Sequence, residues 1–264
     1  MANDRARAVS ELLDDGRKEV CLADRIPALM PTRRGGLAVP FDAGTALLMC
    51  TYLPGETPTS PSRSVVRQSG EILACLHQLS ASLSYSGYKE MRGRDLATSA
   101  WYQAMDAALH KASLTAEERR LARRCVESVR RLESRYLQLP RIVLHGDVTM
   151  RNLAIREGKI GLFDFGGALV APRLFDVQAS LANLAGRTGT FQADLVDAFM
   201  TSYSAVWPLQ PAEWSLLKVV MAADLARIIA WLADEGQQRM GSLAQPERAY
   251  RLSLLRDLHA DVNY

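Results

Sequence analysis

The sequence of 264 residues has no uninterrupted apolar run of about 20 residues, the length that a membrane-spanning helix requires. Its most apolar long stretch, residues 216–233, is interrupted by Lys218, Asp224 and Arg227. The first 19 residues are charged and contain no apolar segment of the kind found in signal peptides. These absences predict a cytoplasmic protein without a membrane partner.

Cysteine is scarce, with Cys21, Cys50, Cys75 and Cys125 as the four examples. The closest two are 25 residues apart, so the sequence contains no Cys-x-x-Cys metal or redox motif. We expect four thiols without disulfides, mostly buried, in a reducing compartment.

Neither sign of charge dominates, because the sequence has 32 basic and 29 acidic residues, which give a net charge of +3. Nucleic-acid-binding proteins usually carry a basic stripe or tail, so we expect no nucleic-acid partner. The apolar fraction of 48% and the charged fraction of 23% are those of a folded globular chain, which excludes a disordered or collagen-like chain. The length predicts one large domain or two small ones.

Turn-forming residues are concentrated in residues 54–61, where the sequence PGETPTSP predicts a hinge. We place the main boundary there, between a first unit of residues 1–55 and a second unit of residues 56–264. The first unit contains a charged, helix-compatible segment and two short strand-like runs, at residues 4–26, 36–39 and 45–52.

The second unit is mainly helical by its apolar periodicity. Thr115 and Glu118 form the Thr-x-x-Glu pattern of a capping box, which opens one helix. Apolar residues recur at helical spacing over three further segments, residues 64–83, 214–232 and 246–258. Only residues 141–165 break this period, and they contain the residues suited to chemistry.

Residues 141–165 contain three short β-type runs, at residues 142–144, 153–155 and 160–163. Residues 157–159 lie between the last two runs and suit a tight turn. Asn152 and Asp164 are each six residues from Gly158, so a hairpin that closes at Gly158 places them opposite each other. Directly paired residues have Cβ atoms about 5 Å apart. At that distance, an amide oxygen and a carboxylate are able to share one hard cation such as Mg²⁺.

Asp147 precedes Asn152 by five residues, on the loop that enters this hairpin. Three oxygen-bearing side chains therefore converge, two suited to a metal and one available as a base. Phosphoryl transfer needs this combination, because the attacking hydroxyl must be oriented and the donor phosphates must be neutralised by metal. The alternative is an ordinary turn with polar ends, since Asn and Asp favour turns.

The composite of His145-Gly146-Asp147, Asn152 and Asp164-Phe165-Gly166 resembles the motif of the aminoglycoside phosphotransferase and choline kinase superfamily, the small-molecule kinases of the protein-kinase-like fold. Protein kinases have Arg where Gly146 stands. Residues 46–56 resemble the last strand of the N-lobe and its hinge, and residues 172–176 resemble a segment whose Asp braces the catalytic loop.

The resemblance covers residues 17–236 and implies an α+β, protein-kinase-like fold. The N-lobe and hinge are implied to be shortened to residues 1–55. Residues 56–264 are implied to form a mostly helical C-lobe, which carries the catalytic loop and the metal-binding hairpin.

The resemblance also implies a role for each matching residue. Asp147 is the catalytic residue that accepts the hydrogen bond of the substrate hydroxyl, and Asn152 and Asp164 bind Mg²⁺. His145 and Asp176 support the catalytic loop, although Asp176 alternatively only caps the helix that follows it.

A nucleotide, ATP or GTP, is implied to bind near the backbone of Thr51, Tyr52 and Leu53. Residues 17–26 resemble the N-lobe helix whose Glu pairs with the phosphate-binding Lys of this fold, and Glu19 occupies that place.

The N-terminal part departs from the family pattern. No glycine precedes Gly16, so no glycine-rich loop is present, and Lys18 is the only early lysine. The first three N-lobe strands therefore have no counterpart in the sequence. Three interpretations stay open: a truncated kinase, a naturally reduced kinase in which Arg17, Lys18, Arg33 or Arg34 holds the phosphates, and a non-catalytic binding module.

Taken together, these features predict a small-molecule kinase that transfers phosphate to an alcohol group. The leading substrate class is an antibiotic, such as an aminoglycoside, a macrolide or a peptide antibiotic, which makes the protein a resistance phosphotransferase. The alternatives are a metabolite kinase acting on an alcohol such as homoserine or choline, and a pseudokinase that binds without turnover. We expect Mg²⁺ as the cofactor, a small-molecule partner, and a monomer or homodimer.

Overall fold

Helices and short antiparallel strands make up the structure. The computed structural model describes residues 2–36, 39–40, 46–83, 96, 98–110, 113–186, 188–233 and 235–260. Its α-helices are α1 (Ala2–Gly16), α2 (Arg63–Ser82), α3 (Ser99–Leu109), α4 (Ala116–Leu137), α5 (Leu174–Ser180), α6 (Ala193–Val206), α7 (Pro211–Leu232), α8 (Glu235–Met240) and α9 (Ala244–Ala260). The strands are β1 (Val39–Pro40), β2 (Ala46–Leu47), β3 (Arg141–Leu144), β4 (Leu153–Arg156), β5 (Lys159–Leu162) and β6 (Leu169–Pro172).

The helices predicted from apolar periodicity are confirmed as α2, α7 and α9. The capping box is also confirmed, because the Thr115 hydroxyl accepts from the Glu118 backbone N–H and the Glu118 carboxylate accepts from the Thr115 N–H. Helix α7 is buried on most of its surface, as expected for a helix that packs between α4, α5 and α9. Gly70 lets α2 approach α6 closely, since a Cβ there would lie 2.5 Å from the Phe199 carbonyl oxygen.

The prediction of a helix over residues 17–26 is wrong. Helix α1 ends at Gly16, and residues 17–25 form successive turns. The chain folds back tightly at this point, because a Cβ on Gly16 would lie only 2.5 Å from the Ile26 side chain. Leu22 and Ile26 are fully buried, so tertiary packing of these two side chains takes the place of helical periodicity.

Arg25 fastens this turn segment to the rest of the molecule. Its Nε donates to the Ile160 carbonyl at 2.9 Å, and its guanidinium also reaches the Gln68 carbonyl and the Glu71 carboxylate, both at 3.1 Å. The Arg25 carbonyl accepts from the Leu162 backbone N–H at 2.7 Å. The turn segment therefore lies along the outer edge of β5.

The predicted strand-like runs of the first unit are partly seen. Strands β1 and β2 pair antiparallel, while residues 37, 38 and 41–45 lie outside the described part of the chain. The segment after β2 pairs instead with residues 28–30, since the Met30 N–H donates to the Met49 carbonyl and the Thr51 N–H to the Ala28 carbonyl. The first unit is thus held together by backbone pairing just before the predicted hinge.

The predicted hinge runs beside β4. Glu56 and Ile155 exchange backbone hydrogen bonds of 3.0 and 2.8 Å. Gly55 permits this approach, because its φ is +144° and a Cβ there would lie 2.7 Å from the Ile155 carbonyl oxygen. The division of the chain at residue 55 stays a prediction.

Strands β3 and β6 form an antiparallel pair in the middle of the helical part, with Leu144 opposite Leu169. The β-type run at residues 142–144 is confirmed as β3, but its partner β6 was not predicted. On one face of the pair, its own side chains form a small apolar cluster with Phe175 of α5; they are Ile142, Leu144, Leu169 and Ala171. This pair fixes the starting point of the loop that follows β3.

The four cysteines form no disulfide, but only Cys75 and Cys125 are buried. Among the described residues, no helix is both long and apolar enough to cross a bilayer.

Glu118 joins α4 to α9, and this generates a prediction about pH. Its carboxylate is 3% exposed and accepts from the Arg248 guanidinium and from Thr115. Burial alone would raise the pKa of Glu118, but these hydrogen bonds outweigh burial and the pKa is lowered. A lowered pKa means that the ionised Glu118 stabilises the fold above its unfolded pKa of about 4.3, and that this stability is lost as pH falls through the folded pKa.

We therefore expect Glu118→Gln to reduce the free energy of unfolding by about 3 kcal/mol at pH 7 and by clearly less near pH 3, as measured by urea denaturation. Glu127→Gln is the control, because Glu127 lies on the same helix in an exposed pair with Arg131 at 3.9 Å. A deficit for Glu118→Gln that stays constant from pH 7 to pH 3 would show that the charge of Glu118 is not what matters.

Candidate active site

The loop after β3 carries the His-Gly-Asp sequence, and we call residues 145–152 the HGD loop. It ends in a short 3₁₀ turn, Met150–Asn152, which brings Asn152 back beside Asp147. The side-chain N–H groups of Asn152 donate to the Asp147 carbonyl at 2.8 Å and to the Asp147 carboxylate at 3.0 Å. The Asp147 side chain is therefore held while it stays exposed to solvent.

The β4–β5 hairpin closes differently from the prediction. Its turn is Glu157–Gly158, both with positive φ (52° and 77°), which is the two-residue type I′ pattern. Asn152 is consequently opposite Phe163, whose N–H donates to the Asn152 carbonyl at 3.0 Å. The predicted direct pairing of Asn152 with Asp164 is wrong by one residue, and Asp164 lies one position beyond the end of the ladder.

Asp164 leaves the hairpin in a left-handed conformation, with φ 64° and ψ 70°. Its carboxylate accepts from the Gly166 N–H at 3.2 Å and caps the short 3₁₀ turn Phe165–Gly167. Asp164 is exposed, as is Asp147. A left-handed Asp is uncommon and marks a place where the backbone direction is set by function or by packing.

Asp176 lies under the HGD loop, in the first turn of α5. Its two carboxylate oxygens accept from the backbone N–H groups of His145 and Gly146, both at 2.8 Å. Asp176 is fully buried. Its side chain therefore bonds to the loop, a contact that helix capping alone does not provide.

His145 lies beneath the loop and is fully buried. Its Nε2 lies 3.0 Å from the Phe163 carbonyl, and its Nδ1 accepts from the Asp147 N–H at 3.2 Å. Since a carbonyl only accepts, the proton is on Nε2. Burial lowers the pKa of His145, so the ring is neutral and links the loop to the hairpin. Phe165 packs edge-on against it at 4.6 Å.

His77 of α2 is a site residue that was missed in the sequence. Its Nε2 lies 3.1 Å from Asp176 Oδ2, the oxygen that also accepts from the His145 N–H, and its Nδ1 lies 2.8 Å from the Tyr203 hydroxyl of α6. Burial raises the pKa of Tyr203, so its hydroxyl stays protonated. Because the Asp176 carboxylate only accepts, His77 Nε2 carries the proton and Nδ1 accepts a hydrogen bond from the Tyr203 hydroxyl. The signal available in the sequence was a lone histidine directly after the apolar run of residues 72–76.

A cleft of about 420 Å³ lies between the first unit and the β4–β5 hairpin. Thr51, Tyr52 and Leu53 line it, together with Ala154 and Gly161 of the two strands. The basic residues on its walls are Arg17, Arg25, Arg156 and Lys159. The structure thus places the three predicted nucleotide-binding residues in one cleft.

Glu19 is not part of this cleft. It is exposed in the turn segment after α1, and within the described residues it forms no ion pair. Lys18 bonds instead to Asp15 at 2.6 Å and to Asp14 at 3.3 Å, and these bonds raise the pKa of Lys18. Lys18 is therefore paired with the end of α1, and Glu19 does not lie on a helix, because residues 17–25 form turns.

The donor atoms that remain at the hairpin end suit a hard cation. Because Asn152 uses its N–H groups on Asp147, its amide oxygen is left to accept or to bind metal. Asp164 presents an exposed carboxylate, and it directly follows Phe163, the residue opposite Asn152. Within the described residues no group of three or more His, Cys, Asp or Glu side chains is arranged to hold a metal. Two oxygen donors fit Mg²⁺, which keeps several waters or phosphate oxygens as its other ligands.

Comparison with known proteins gives matches over most of the chain. The family model described as "Phosphotransferase enzyme family" matches residues 21–217. A homoserine kinase from Gluconobacter oxydans is 27% identical over 203 residues, which are 74% of this chain and 61% of that protein. A homoserine kinase from Methylorubrum populi is 30% identical over 234 residues, covering 81% of this chain and 70% of that protein. The chain spans about three fifths of the Gluconobacter protein.

Solved structures show the same fold. An aminoglycoside phosphotransferase from Alicyclobacillus acidocaldarius has a TM-score of 0.64 at 18% identity, covering 98% of this chain and 84% of that chain. A microcompartment-associated aminopropanol kinase has a TM-score of 0.62 at 17% identity, covering 92% and 79% of the two chains. The predicted α+β, protein-kinase-like fold is confirmed by these likenesses.

Gly146 generates a prediction about how the site is packed. Its φ is +79°, and a Cβ there would lie 2.1 Å from the Gly167 carbonyl oxygen. Gly158 at the hairpin turn has nearly the same φ, +77°, with open space around it. Ala at either position has the same backbone strain of about 1 kcal/mol, but only Gly146→Ala also forces the HGD loop away from residues 165–167.

We expect Gly158→Ala to reduce the free energy of unfolding by about 1 kcal/mol and Gly146→Ala to reduce it by about 3 kcal/mol or more, measured by urea denaturation. Equal losses for the two variants would show that the HGD loop does not pack against Gly167.

Proposed function

The chain belongs to the phosphotransferase enzyme family, and from that membership we propose that it transfers the γ-phosphate of ATP or GTP to a hydroxyl group of a small molecule. The observation that supports this most is the arrangement of Asp147, Asn152 and Asp164. An exposed carboxylate is held in place by an amide, and that amide keeps an oxygen for a cation near a second exposed carboxylate.

Asp147 acts on the acceptor in this proposal. Its carboxylate accepts the hydrogen bond of the substrate hydroxyl, orients the oxygen toward the γ-phosphorus and takes up the proton. A bond forms between the acceptor oxygen and the phosphorus while the bond from phosphorus to the β-phosphate oxygen breaks. Transfer is direct in this proposal, from the nucleotide to the acceptor, without a phospho-enzyme.

Asn152 and Asp164 hold the Mg²⁺ in this proposal. Bound Mg²⁺ supplies positive charge that neutralises the donor phosphates. Asn152 has a second task, since its two N–H bonds to Asp147 fix the direction of the Asp147 carboxylate. His145 remains neutral and holds the loop to the hairpin through the Phe163 carbonyl, next to Asp164.

The nucleotide base occupies the cleft at residues 51–53 in this proposal. The N–H and the hydroxyl of Thr51 are already bonded to Ala28, so Tyr52 and Leu53 have the backbone groups left for a base. Ala154 and Gly161 form the facing wall, and Leu53 packs against it, since a Cβ on Gly161 would lie 2.5 Å from the Leu53 side chain. The basic residues of the cleft, Arg17 among them, are the candidates for holding the phosphates.

The acceptor we propose is a small amino alcohol of the homoserine type. The sequence relatives at 27% and 30% identity carry the name homoserine kinase, and this reverses the order of the earlier expectation, which placed antibiotics first. The solved structures include antibiotic kinases, but at 18% identity or below these likenesses concern the fold alone. An antibiotic acceptor keeps second place as a proposal.

Two substitutions separate the proposed roles. We expect Asp147→Asn to lower kcat by about 10³-fold while the affinity for ATP with Mg²⁺ stays within about threefold, because Asp147 acts on the acceptor. We expect Asp164→Asn to weaken ATP binding in the presence of Mg²⁺ by at least about tenfold. Calorimetry with ATP and with GTP measures the affinity, and an ADP-release assay with homoserine, choline, aminopropanol and an aminoglycoside measures turnover.

Asp106→Asn is the matched control, because Asp106 is an exposed carboxylate on α3, outside the HGD loop and the hairpin. Nucleotide binding without turnover on any acceptor would support the pseudokinase alternative. Turnover by Asp147→Asn at the rate of the unmodified protein would refute the proposed mechanism.

A further inference from the structure

A π-helical turn, Leu181–Ala185, follows α5 directly. In it the Gly186 N–H donates to the Leu181 carbonyl at 3.0 Å, five residues back, so it does not reach the Ala182 carbonyl as it would in an α-helix. The Ala182 carbonyl accepts instead from the Tyr250 hydroxyl of α9. A π-turn inside a helix is rare and is frequent at functional sites. Here it ties the end of α5 to the C-terminal helix.

Asn183 lies in the middle of this π-turn and faces the HGD loop. Its side-chain N–H donates to the Val148 carbonyl at 2.9 Å, and its side-chain oxygen accepts from the Arg251 guanidinium at 2.6 Å. The direction of the amide is fixed by its partners, because a carbonyl only accepts and a guanidinium only donates. Asn183 therefore links Arg251 of α9 to Val148, the residue after Asp147.

Arg251 is itself held firmly. Its side chain is 10% exposed, and its Nε donates to Glu247 one turn earlier at 2.9 Å. The guanidinium also lies 4.9 Å from the centre of the Tyr250 ring. An arginine with these partners has little rotational freedom left, so the position of Asn183 depends on α9 as a whole.

The two sides of Asp147 are thus held from different helices. Asp176 of α5 takes the N–H groups of His145 and Gly146, on the N-terminal side. Asn183 takes the carbonyl of Val148, on the C-terminal side. The peptide groups directly beside the Asp147 Cα are held within the loop, by His145 and Asn152. Asp176 and Asn183 hold the peptides further out, and only the N-terminal side of the loop is fixed by Asp176.

We propose that Arg251 and Asn183 are positioning residues for phosphoryl transfer, which set the Asp147 carboxylate by holding the Val148 peptide from the C-terminal helix. This inference rests on the proposed kinase function of the HGD loop. It assigns to α9 a role in the chemistry in addition to its packing against α7.

The chain offers a matched control on the same helix. Arg256 of α9 makes a bidentate ion pair with Glu117 of α4 at 2.8 and 2.6 Å, on the exposed surface. Like Arg251 it ties α9 to another part of the chain, but its partner has no contact with the HGD loop among the bonds of the described residues. Removing the Arg256 side chain therefore shows how much a weaker attachment of α9 affects activity when the HGD loop keeps its own contacts.

The test uses four variants of the full chain: Asn183→Asp, Arg251→Met, Arg251→Lys and Arg256→Met. Asn183→Asp is the most specific of the four variants. The carboxylate still accepts from Arg251, but it places an oxygen, in place of the N–H donor, against the Val148 carbonyl. We expect Asn183→Asp and Arg251→Met to lower kcat at least tenfold with the KM for ATP changed less than twofold. We expect Arg251→Lys to recover part of the loss and Arg256→Met to leave kcat within twofold.

Amide hydrogen exchange measured by mass spectrometry gives a second readout that does not need turnover. In Asn183→Asp and Arg251→Met, we expect peptides covering residues 145–152 to exchange at least fivefold faster, while peptides of α2 and of β4–β5 exchange as before. In Arg256→Met, we expect no faster exchange of residues 145–152. If the unmodified chain shows no turnover, the proposed function fails, and the exchange result alone decides the inference. The inference would be overturned if Asn183→Asp and Arg251→Met showed the same exchange rates and the same kcat as Arg256→Met.

Discussion

The buried carboxylate of Asp176 is the constraint on which the rest of the site depends. It is fully buried, and an unpaired charge there would be strongly destabilising. Three N–H groups compensate it, from His145, Gly146 and His77, and the first turn of α5 adds a favourable helix dipole. Because these donors come from the HGD loop and from α2, satisfying one charge fixes the loop, α2 and α5 relative to one another. Tyr203 extends the network to α6.

Because buried groups hold the loop, the two carboxylates to which we assign the chemistry, Asp147 and Asp164, are able to face solvent. Asp147 and Asp164 are exposed and do little to hold the fold, whereas His145, His77 and Asp176 are buried and fully bonded. The one strained backbone position among these residues is Asp164, whose φ is positive, while Gly146 adopts a positive φ without strain because it has no Cβ. A helical scaffold thus carries a short irregular loop whose direction is set by buried polar groups, in line with the usual location of binding residues on loops that a rigid framework positions.

Much of this architecture was predictable from the sequence, because local patterns carry it. Apolar periodicity gave α2, α7 and α9, and the spacing from His145 to Asp164 gave the loop and hairpin. The hairpin register was missed by one residue, since a turn centred on Gly158 and a two-residue turn at Glu157–Gly158 look alike in sequence. The pairing of His77 with Asp176 joins residues 99 apart, which no local pattern reveals.

The N-terminal unit was the least predictable part for a related reason. Residues 17–26 have the composition of a helix, but the burial of Leu22 and Ile26 and the bonds of Arg25 favour a chain of turns. Tertiary packing overrides weak helix propensity in short segments. The cleft at residues 51–53 follows from that packing, because the turn segment forms one of its walls together with β4 and β5.

The central claim is that Asn152 and Asp164 form one metal site beside Asp147. The most direct measurement is a crystal structure of the chain with a non-hydrolysable ATP analogue and Mn²⁺ in place of Mg²⁺, with the metal located by anomalous scattering. The account predicts a peak about 2.1 Å from the Asn152 amide oxygen and from an Asp164 carboxylate oxygen, with the γ-phosphate facing Asp147. A bound nucleotide whose metal lies away from both residues would contradict it.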